Sequence, residues 1–497
     1  MSRHAAFALA LTTALAVHAR IARAELRPKY GGAVEATLLG APSTFDPVLA
    51  RTHAESTVAA LVFDTLFEIG SDGAARPHLA AALPVFDEKR TTARIEIVKG
   101  AVFQDGSAVT PEDVAASLER TRSLARWALP EVTQVAVDGD GVVLSLAAPA
   151  PDLPLLLALP QASITKGGKA PGARAIGSGP FAIDQIDLPH HRLALRAFDD
   201  HFAGRPYVDR LELRWYDTPD GEARRFETGN AHVSARGVAA FSGGQPQFAA
   251  RDVSGPASVL VYLGFGAAHA QLLRDAAFRR ALDLAIARGG LSGVSSGERV
   301  IPTRLPLPPE AGGAPLDAAA GRGDPDAAKA ALADARARGP DLRGDVRLEI
   351  LVEDTRPDDR DIAERVGLAL DKLGVAWTIT PVTAQLLRDR VKSGQCDLWI
   401  GQLAAPVAAP SIWWAAAFAA GGDDWALAKL RAGAAPDPAA FGHAFAEREP
   451  IVPLMFRALR LWHRTDLHGL ELDALGRPSF ADAFLVGAPA PTRGGQP

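Results

Sequence analysis

Residues 346–401 constrain the fold more than any other stretch of this chain. Residues 346–352 read as a strand, Asp361 caps a helix ending at Leu373-Gly374, and 375–380 read as a second strand. A helix over 384–392 and a third strand over 396–401 complete the run. Strand, helix, strand, helix, strand in direct succession predicts a parallel sheet with right-handed crossovers, because parallel neighbours need a connection long enough to hold a helix. At 497 residues the chain exceeds what one core accommodates, so this sheet is expected to serve one of two lobes.

A second stretch, 102–118, reads VFQDGSAVTPEDVAASL. Asp105-Gly106 is a turn, Thr110 an N-cap, Pro111 the first helical residue and Asp113 the acidic half of a capping box. Residues 93–98 before it alternate as a half-buried strand, and 132–137 with 142–146 form a hairpin around Asp138-Gly139-Asp140-Gly141. Further on, Gly177-Ser178-Gly179-Pro180-Phe181 precedes strands at 193–198 and 208–216, which bracket His201-Phe202-Ala203-Gly204-Arg205-Pro206. Thr218-Pro219 opens a helix through Phe226, 259–266 is a buried strand, and 272–288 a helix with Phe278, Leu282, Ala285 and Ile286 on one face. Residues 301–322 read as a surface loop, 450–453 and 459–463 as a strand pair, and 487–497 as a frayed tail.

The N-terminus has the pattern of an export signal. Arg3 and His4 precede an apolar run over 5–19, and Ala22-Arg23-Ala24 offers a small-x-small cleavage site before Glu25. Cleavage there removes three arginines and no acid, taking the formal net charge from −5 to −8. An acidic surface argues against nucleic acid and anionic membranes as partners. Cys396 is the only cysteine, so no intrachain disulfide forms. Glu25, standing where a lipid-anchored homologue would need Cys, favours a freely diffusing periplasmic protein.

The order of these segments resembles the bacterial extracellular solute-binding proteins of family 5, the peptide/nickel-binding type. The resemblance rests on 103–118, Gly177–Phe181 and 259–288, and extends over about 30–487. Phe45-Asp46-Pro47 resembles the family's loop after the first strand, and Pro77-His78-Leu79-Ala80 its Pro-x-Leu-Ala step. His201–Pro206 resembles its Tyr-Trp-x-Gly-x-Pro turn with both aromatics changed. The resemblance implies an α/β, two-lobed periplasmic-binding-protein fold of the cluster C type, with mixed sheets, an extra subdomain in lobe I and a hinge of two crossing strands. The expected division is a signal peptide at 1–24, lobe I at 25–264 plus 470–497 with its subdomain at about 44–170, and lobe II at 265–469. It further implies a monomer that delivers a small-molecule or peptide-like ligand, a metal complex among the alternatives, to ABC transporter permease subunits in the inner membrane.

The chain has no H-E-x-x-H, P-loop or C-x-x-C signature. No catalytic residue, metal ligand or cofactor is therefore expected. His190-His191 is adjacent, which on a strand sends the two rings to opposite sides. A secreted α/β hydrolase and a periplasmic ligand sensor on the same fold stand as the alternative readings. Candidate ligand contacts are Thr44 and Phe45 at a strand end, Arg126, Trp127 and Gln161, and Gln402, Leu403, Pro406, Trp413 and Trp414 in the segment after the third strand. Trp127 reads either as a cleft residue or as core, and so do Trp413 and Trp414. In peptide-binding members the last segment resembles Gly-Trp-x-x-Asp-x-x-Asp-Pro, whose first Asp meets a ligand ammonium. Aligning Pro410 with the motif's Pro places Pro406 at that Asp, and no acid occurs between Asp397 and Asp423. Free-amine peptides are accordingly expected to bind weakly, since a buried ammonium needs a counter-charge. Exported protein is expected to begin at Glu25; N-terminal sequencing checks this, and a retained Met1 or a lipid on the mature chain contradicts it.

Overall fold

The computed structural model describes residues 27–487 except 173–174, 242–243, 295–299, 315, 318–319, 339–345, 406–408, 433–436 and 475. The signal segment, Pro406 and nearly all of the C-terminal tail thus lie outside the described residues. Lobe I starts with β1 (Ala33–Thr37) and α1 (His53–Val62), then detours into a subdomain. The subdomain comprises β2 (Phe67–Ile69), β3 (Ala75–Pro77), β4 (Val85–Phe86), β5 (Thr92–Glu96), α2 (Pro111–Leu124), β6 (Val132–Asp138) and β7 (Gly141–Leu146). The chain returns through β8 (Phe181–Asp187), β9 (Arg192–Ala197), β10 (Arg210–Arg214), α3 (Pro219–Glu227), β11 (Val233–Ser234) and β12 (Ala250–Ser254).

Lobe II follows, with β13 (Val259–Phe265), α4 (Ala276–Ala285), β14 (Val300–Pro302), α5 (Pro325–Arg338), β15 (Arg347–Glu353), α6 (Pro357–Lys372), β16 (Ala376–Val382) and α7 (Ala384–Ser393). Next come β17 (Leu398–Leu403), α8 (Pro410–Ala420), α9 (Trp425–Arg431), α10 (Pro438–Arg448) and β18 (Val452–Arg457), before β19 (Arg460–Arg464) re-enters lobe I. The lobe I sheet has the order β12-β19-β11-β1-β10-β9-β8 and the lobe II sheet β14-β18-β13-β17-β15-β16, while the subdomain sheet runs β4-β5-β7-β6.

The β-α-β-α-β run folds as its spacing requires: β15 lies between β16 and β17 and is parallel to both, although α6 starts at Pro357 behind Arg356, with Asp361 inside the helix rather than capping it. β13 and β18 add antiparallel, making the sheet mixed. The crossings fall elsewhere than expected. β13 already belongs to lobe II, so the chain leaves lobe I between Ser254 and Val259 and returns between Arg457 and Arg460. The two strands expected to pair with each other, β18 and β19, therefore serve different sheets; each pairs with the outgoing strand beside it. A buried all-apolar strand carries no mark of which sheet it joins. The helix expected over 272–288 is broken, because Asp275 caps a fresh start at Ala276. His190 and His191 lie in the tight turn between β8 and β9, not on a strand, with His191 at φ 52° and stacked on Trp215.

Local signals set the subdomain. Thr110 Oγ1 accepts from the Asp113 N–H at 3.2 Å, and the Asp113 carboxylate accepts from the Thr110 N–H at 2.9 Å, closing the capping box that starts α2. Gln104, two residues before the turn glycine, ties the subdomain to lobe I. Its amide Nε2 donates to the carbonyls of Val62 (3.1 Å), Gly179 (3.0 Å) and Phe181 (2.9 Å), and its Oε1 accepts from the Gly177 N–H (3.0 Å). Glycine is required opposite: a Cβ on Gly177 or Gly179 would run into the Val62 carbonyl. Gln104→Ala leaves these backbone groups unpaired and is expected to cost about 2–4 kcal/mol, seen as a lower Tm. Gln104→Glu, the same shape without an N–H to donate, is expected to be as damaging; melting at the wild-type temperature would refute the assignment.

Candidate functional site

The carboxyl ends of β15 and β17 point toward the crossing strands, the place where open α/β sheets present ligand-binding groups. The turn after β15 is charged. Arg356 pairs with Glu353 and, at 3.3 Å, with Asp359 Oδ2. Gln402 at the end of β17 offers Nε2 to Asp359 Oδ1 at 3.5 Å and accepts from Arg457 Nη2 at 3.1 Å. Arg457, the last residue of β18, also stands 3.8 Å from Asp358. Asp359 is fully buried, and burial pushes its carboxyl up to about 6 even with Arg356 and Arg457 favouring the charged form. The network sits at the hinge side of lobe II, where Arg457 pairs with Val259 beside the crossing.

Lobe I presents the 43–50 loop. Glu55, buried at the start of α1, accepts from the Ser43 hydroxyl and from the N–H groups of Ser43, Arg51 and Thr52. Burial works against its charge, but these donors prevail and hold the carboxyl down at about 2. Thr44 Oγ1 accepts from the Asp46 N–H at 3.0 Å, and Phe45 packs on the lobe I core. Asp46 is held by Arg120 in a bidentate pair of 2.9 and 2.5 Å, so it is committed within lobe I. Gln161 is buried; its Nε2 donates to the Ala50 carbonyl at 2.5 Å, and its Oε1 has no partner.

The lobes touch. The 126–128 turn packs against α9, and one apolar cluster runs from the subdomain into lobe II, with Trp127 and Leu403 laid against it. Arg126 is half-buried and its side chain makes no hydrogen bond or ion pair. Trp413 and Trp414 are 1% and 3% exposed and stack edge-on or tilted against Phe456 and Phe445. They pack the interior of lobe II rather than forming an aromatic wall. Of the expected contacts, Gln402 and Leu403 lie at the lobe II edge, and Thr44, Phe45, Arg126 and Trp127 lie on the lobe I side. Sequence reasoning missed Arg356, Asp358, Asp359 and Arg457. The signal for the first three was the charged turn directly after the first strand of the parallel run, whereas Arg457 comes from the end of β18.

Two lobes linked by two crossing strands, with a polar network at the hinge edge, define a bilobal binding-protein fold. The chain belongs to the bacterial extracellular solute-binding proteins, family 5, whose family model matches residues 74–424. It is 30% identical over 273 residues to the Bacillus subtilis uncharacterized protein YhjP, covering 54% of this chain and 44% of that protein. It is also 30% identical over 191 residues to y4tO of Sinorhizobium fredii, named a probable peptide ABC transporter periplasmic-binding protein, covering 36% of this chain and 34% of that one. The chain thus spans less than half the length of these relatives. The crystal structure of the Listeria monocytogenes ABC transporter substrate-binding protein CtaP superposes with a TM-score of 0.75 at 16% identity, over 92% of this chain and all of that one.

Asp359 gives the site a pH signature. Its folded carboxyl holds a proton that the unfolded chain releases near pH 4, so its contribution to stability is present below about pH 4 and is lost as pH rises through about 6. The penalty at neutral pH is at most about 3 kcal/mol. Asp359→Asn is expected to raise Tm at pH 8 by more than at pH 4; an equal effect at both would show that the carboxyl is ordinary.

Proposed function

We propose that this protein captures a small solute between its lobes in the periplasm and hands it to the permease subunits of an ABC importer. The two-strand crossing beside a ring of polar groups supports this most directly, because it allows a ligand to be touched by both lobes only when they close. The name of the Sinorhizobium relative and the family assignment point the same way. No helix among the described residues is long and apolar enough to cross a membrane.

The ligand is neutral or anionic, or a peptide blocked at its amine. Glu353 and Asp358 are engaged by Arg356 and Arg457, burial disfavours the charged form of Asp359, and Arg126 has no acid beside it. An incoming ammonium would have to displace an arginine, whereas an incoming carboxylate would find a cation without a partner. Calorimetry with matched free-amine and N-acetylated peptides tests this reading. Acetylation is expected to preserve or strengthen binding; micromolar binding of the free amine that acetylation abolishes would refute it. Small-angle scattering with a confirmed ligand is expected to show a smaller radius of gyration, and an unchanged radius would count against closure.

A further inference from the structure

Three side chains from separate parts of lobe I converge away from the inter-lobe edge. Asp64 follows α1, His78 follows β3 in the subdomain, and His201 sits in the turn between β9 and β10. One carboxylate oxygen and one nitrogen from each ring lie within 4.8 Å of one another. Asp64 Oδ1 is 2.8 Å from His78 Nε2 and 3.4 Å from His201 Nε2. The Asp64 and His201 side chains are 2% and 4% exposed, while His78, at 18%, faces a cavity of about 600 Å³ that all three line. Only lobe I residues line that cavity, so this cluster is separate from the hinge-edge network.

The hydrogen bonds around the cluster leave neutral His201 without a proton to offer Asp64. The Gly204 carbonyl can only accept, so His201 Nδ1, 3.2 Å away, carries the hydrogen and turns Nε2 toward Asp64. Behind His78, Glu68 Oε2 stands 3.6 Å from Nδ1. Outer acceptors on Nδ1 are how metal-binding imidazoles are oriented. Asp64 Oδ2 is buried yet has no hydrogen-bond partner, contrary to the rule for buried carboxylate oxygens. A second proton on His201 would satisfy the contact to Oδ1 and still leave Oδ2 orphaned. A cation at the centre takes the His201 and His78 lone pairs and the Asp64 carboxylate together, and reaches Oδ2 when the carboxylate binds through both oxygens. Ligand atoms at about 2.0–2.1 Å from a tetrahedral ion lie roughly 3.3 Å apart, which the 3.4 Å Asp64–His201 spacing matches and the 2.8 Å Asp64–His78 spacing would reach by a small outward shift.

We infer that Asp64, His78 and His201 bind a divalent transition cation of the zinc type, with its open coordination position facing the cavity. Two imidazoles and one carboxylate suit zinc, cobalt or nickel and not magnesium or calcium, which take oxygen ligands. The ion joins the subdomain, through His78, to the loop of the main sheet that carries His201. It is a resident ion rather than the transported solute, and the inference does not rest on the import role.

The experiment uses the mature full-length protein stripped of metal with a chelator. Titration with Zn²⁺ by calorimetry is expected to show one ion per chain at micromolar Kd or tighter, together with a higher Tm. Co²⁺ is expected to give visible d–d absorption in the same stoichiometry. His78→Gln, the least buried of the three positions, is expected to weaken Zn²⁺ binding at least tenfold and to abolish the Co²⁺ band while keeping the wild-type circular dichroism. Asp64→Asn is expected to do the same if it folds. His190→Ala, which removes an exposed histidine beside Asp187, is expected to leave both unchanged. Absence of one-to-one binding in the wild type would overturn the inference. Binding that survives in folded His78→Gln, or that is lost in His190→Ala instead, would also overturn it.

Discussion

The architecture depends on a ribbon of two strands that passes from one sheet to the other. β12 and β19 pair antiparallel in lobe I, β13 and β18 pair antiparallel in lobe II, and between them the Gly255 N–H donates to the Leu459 carbonyl at 3.0 Å. Each lobe has its own sheet and its own buried core, so each keeps its shape while the ribbon bends. Motion is thereby confined to a few backbone torsions, the usual form of a hinge. The contact across the opening is of another kind: an apolar cluster that includes subdomain residues and the Trp413 region. Its strength scales with area and falls away once the lobes part.

The groups at the hinge edge show how stability and binding oppose each other. Asp359 is buried among Arg356, Gln402 and Arg457 at a position where an apolar residue would cost nothing in solvation. Such groups accumulate where a protein keeps polar atoms ready for a ligand, and the rest of the fold carries the penalty. In lobe I the corresponding loop is held by Glu55 and by the Asp46–Arg120 pair, whose donors and acceptors all lie within that lobe. Thr44 and Phe45 are thus presented on a fixed loop, while Arg126 stands unpaired on a short turn at the lobe contact.

Most elements were legible because their signals lie within a few residues. The capping box at Thr110-Asp113, the Asp105-Gly106 turn and the alternation of β5 depend on neighbours along the chain. The parallel β15–β16–β17 unit followed from spacing alone. Of the candidate site, Gln402 and Leu403 were read as following the third strand and are in fact its last two residues, and Trp127 was read without a choice between cleft and core. Trp413 and Trp414 were ambiguous because a helix with apolar residues on every side shows no face, and only packing against Phe456 and Phe445 placed them inside.

The sequence by itself determined the family, the element types, the two-lobe division and the missing acid near the expected ammonium site. Tertiary structure alone decided where the chain crosses, since β13 and β18 are apolar on both faces and carry no period to distinguish one sheet from another. It also decided that Gln104 meets the Gly177–Phe181 segment, and that Asp64, His78 and His201 meet at all. The last two lie 14 and 137 residues from Asp64. Convergence over such separations is fixed by how whole elements pack, and no local pattern of residues encodes it.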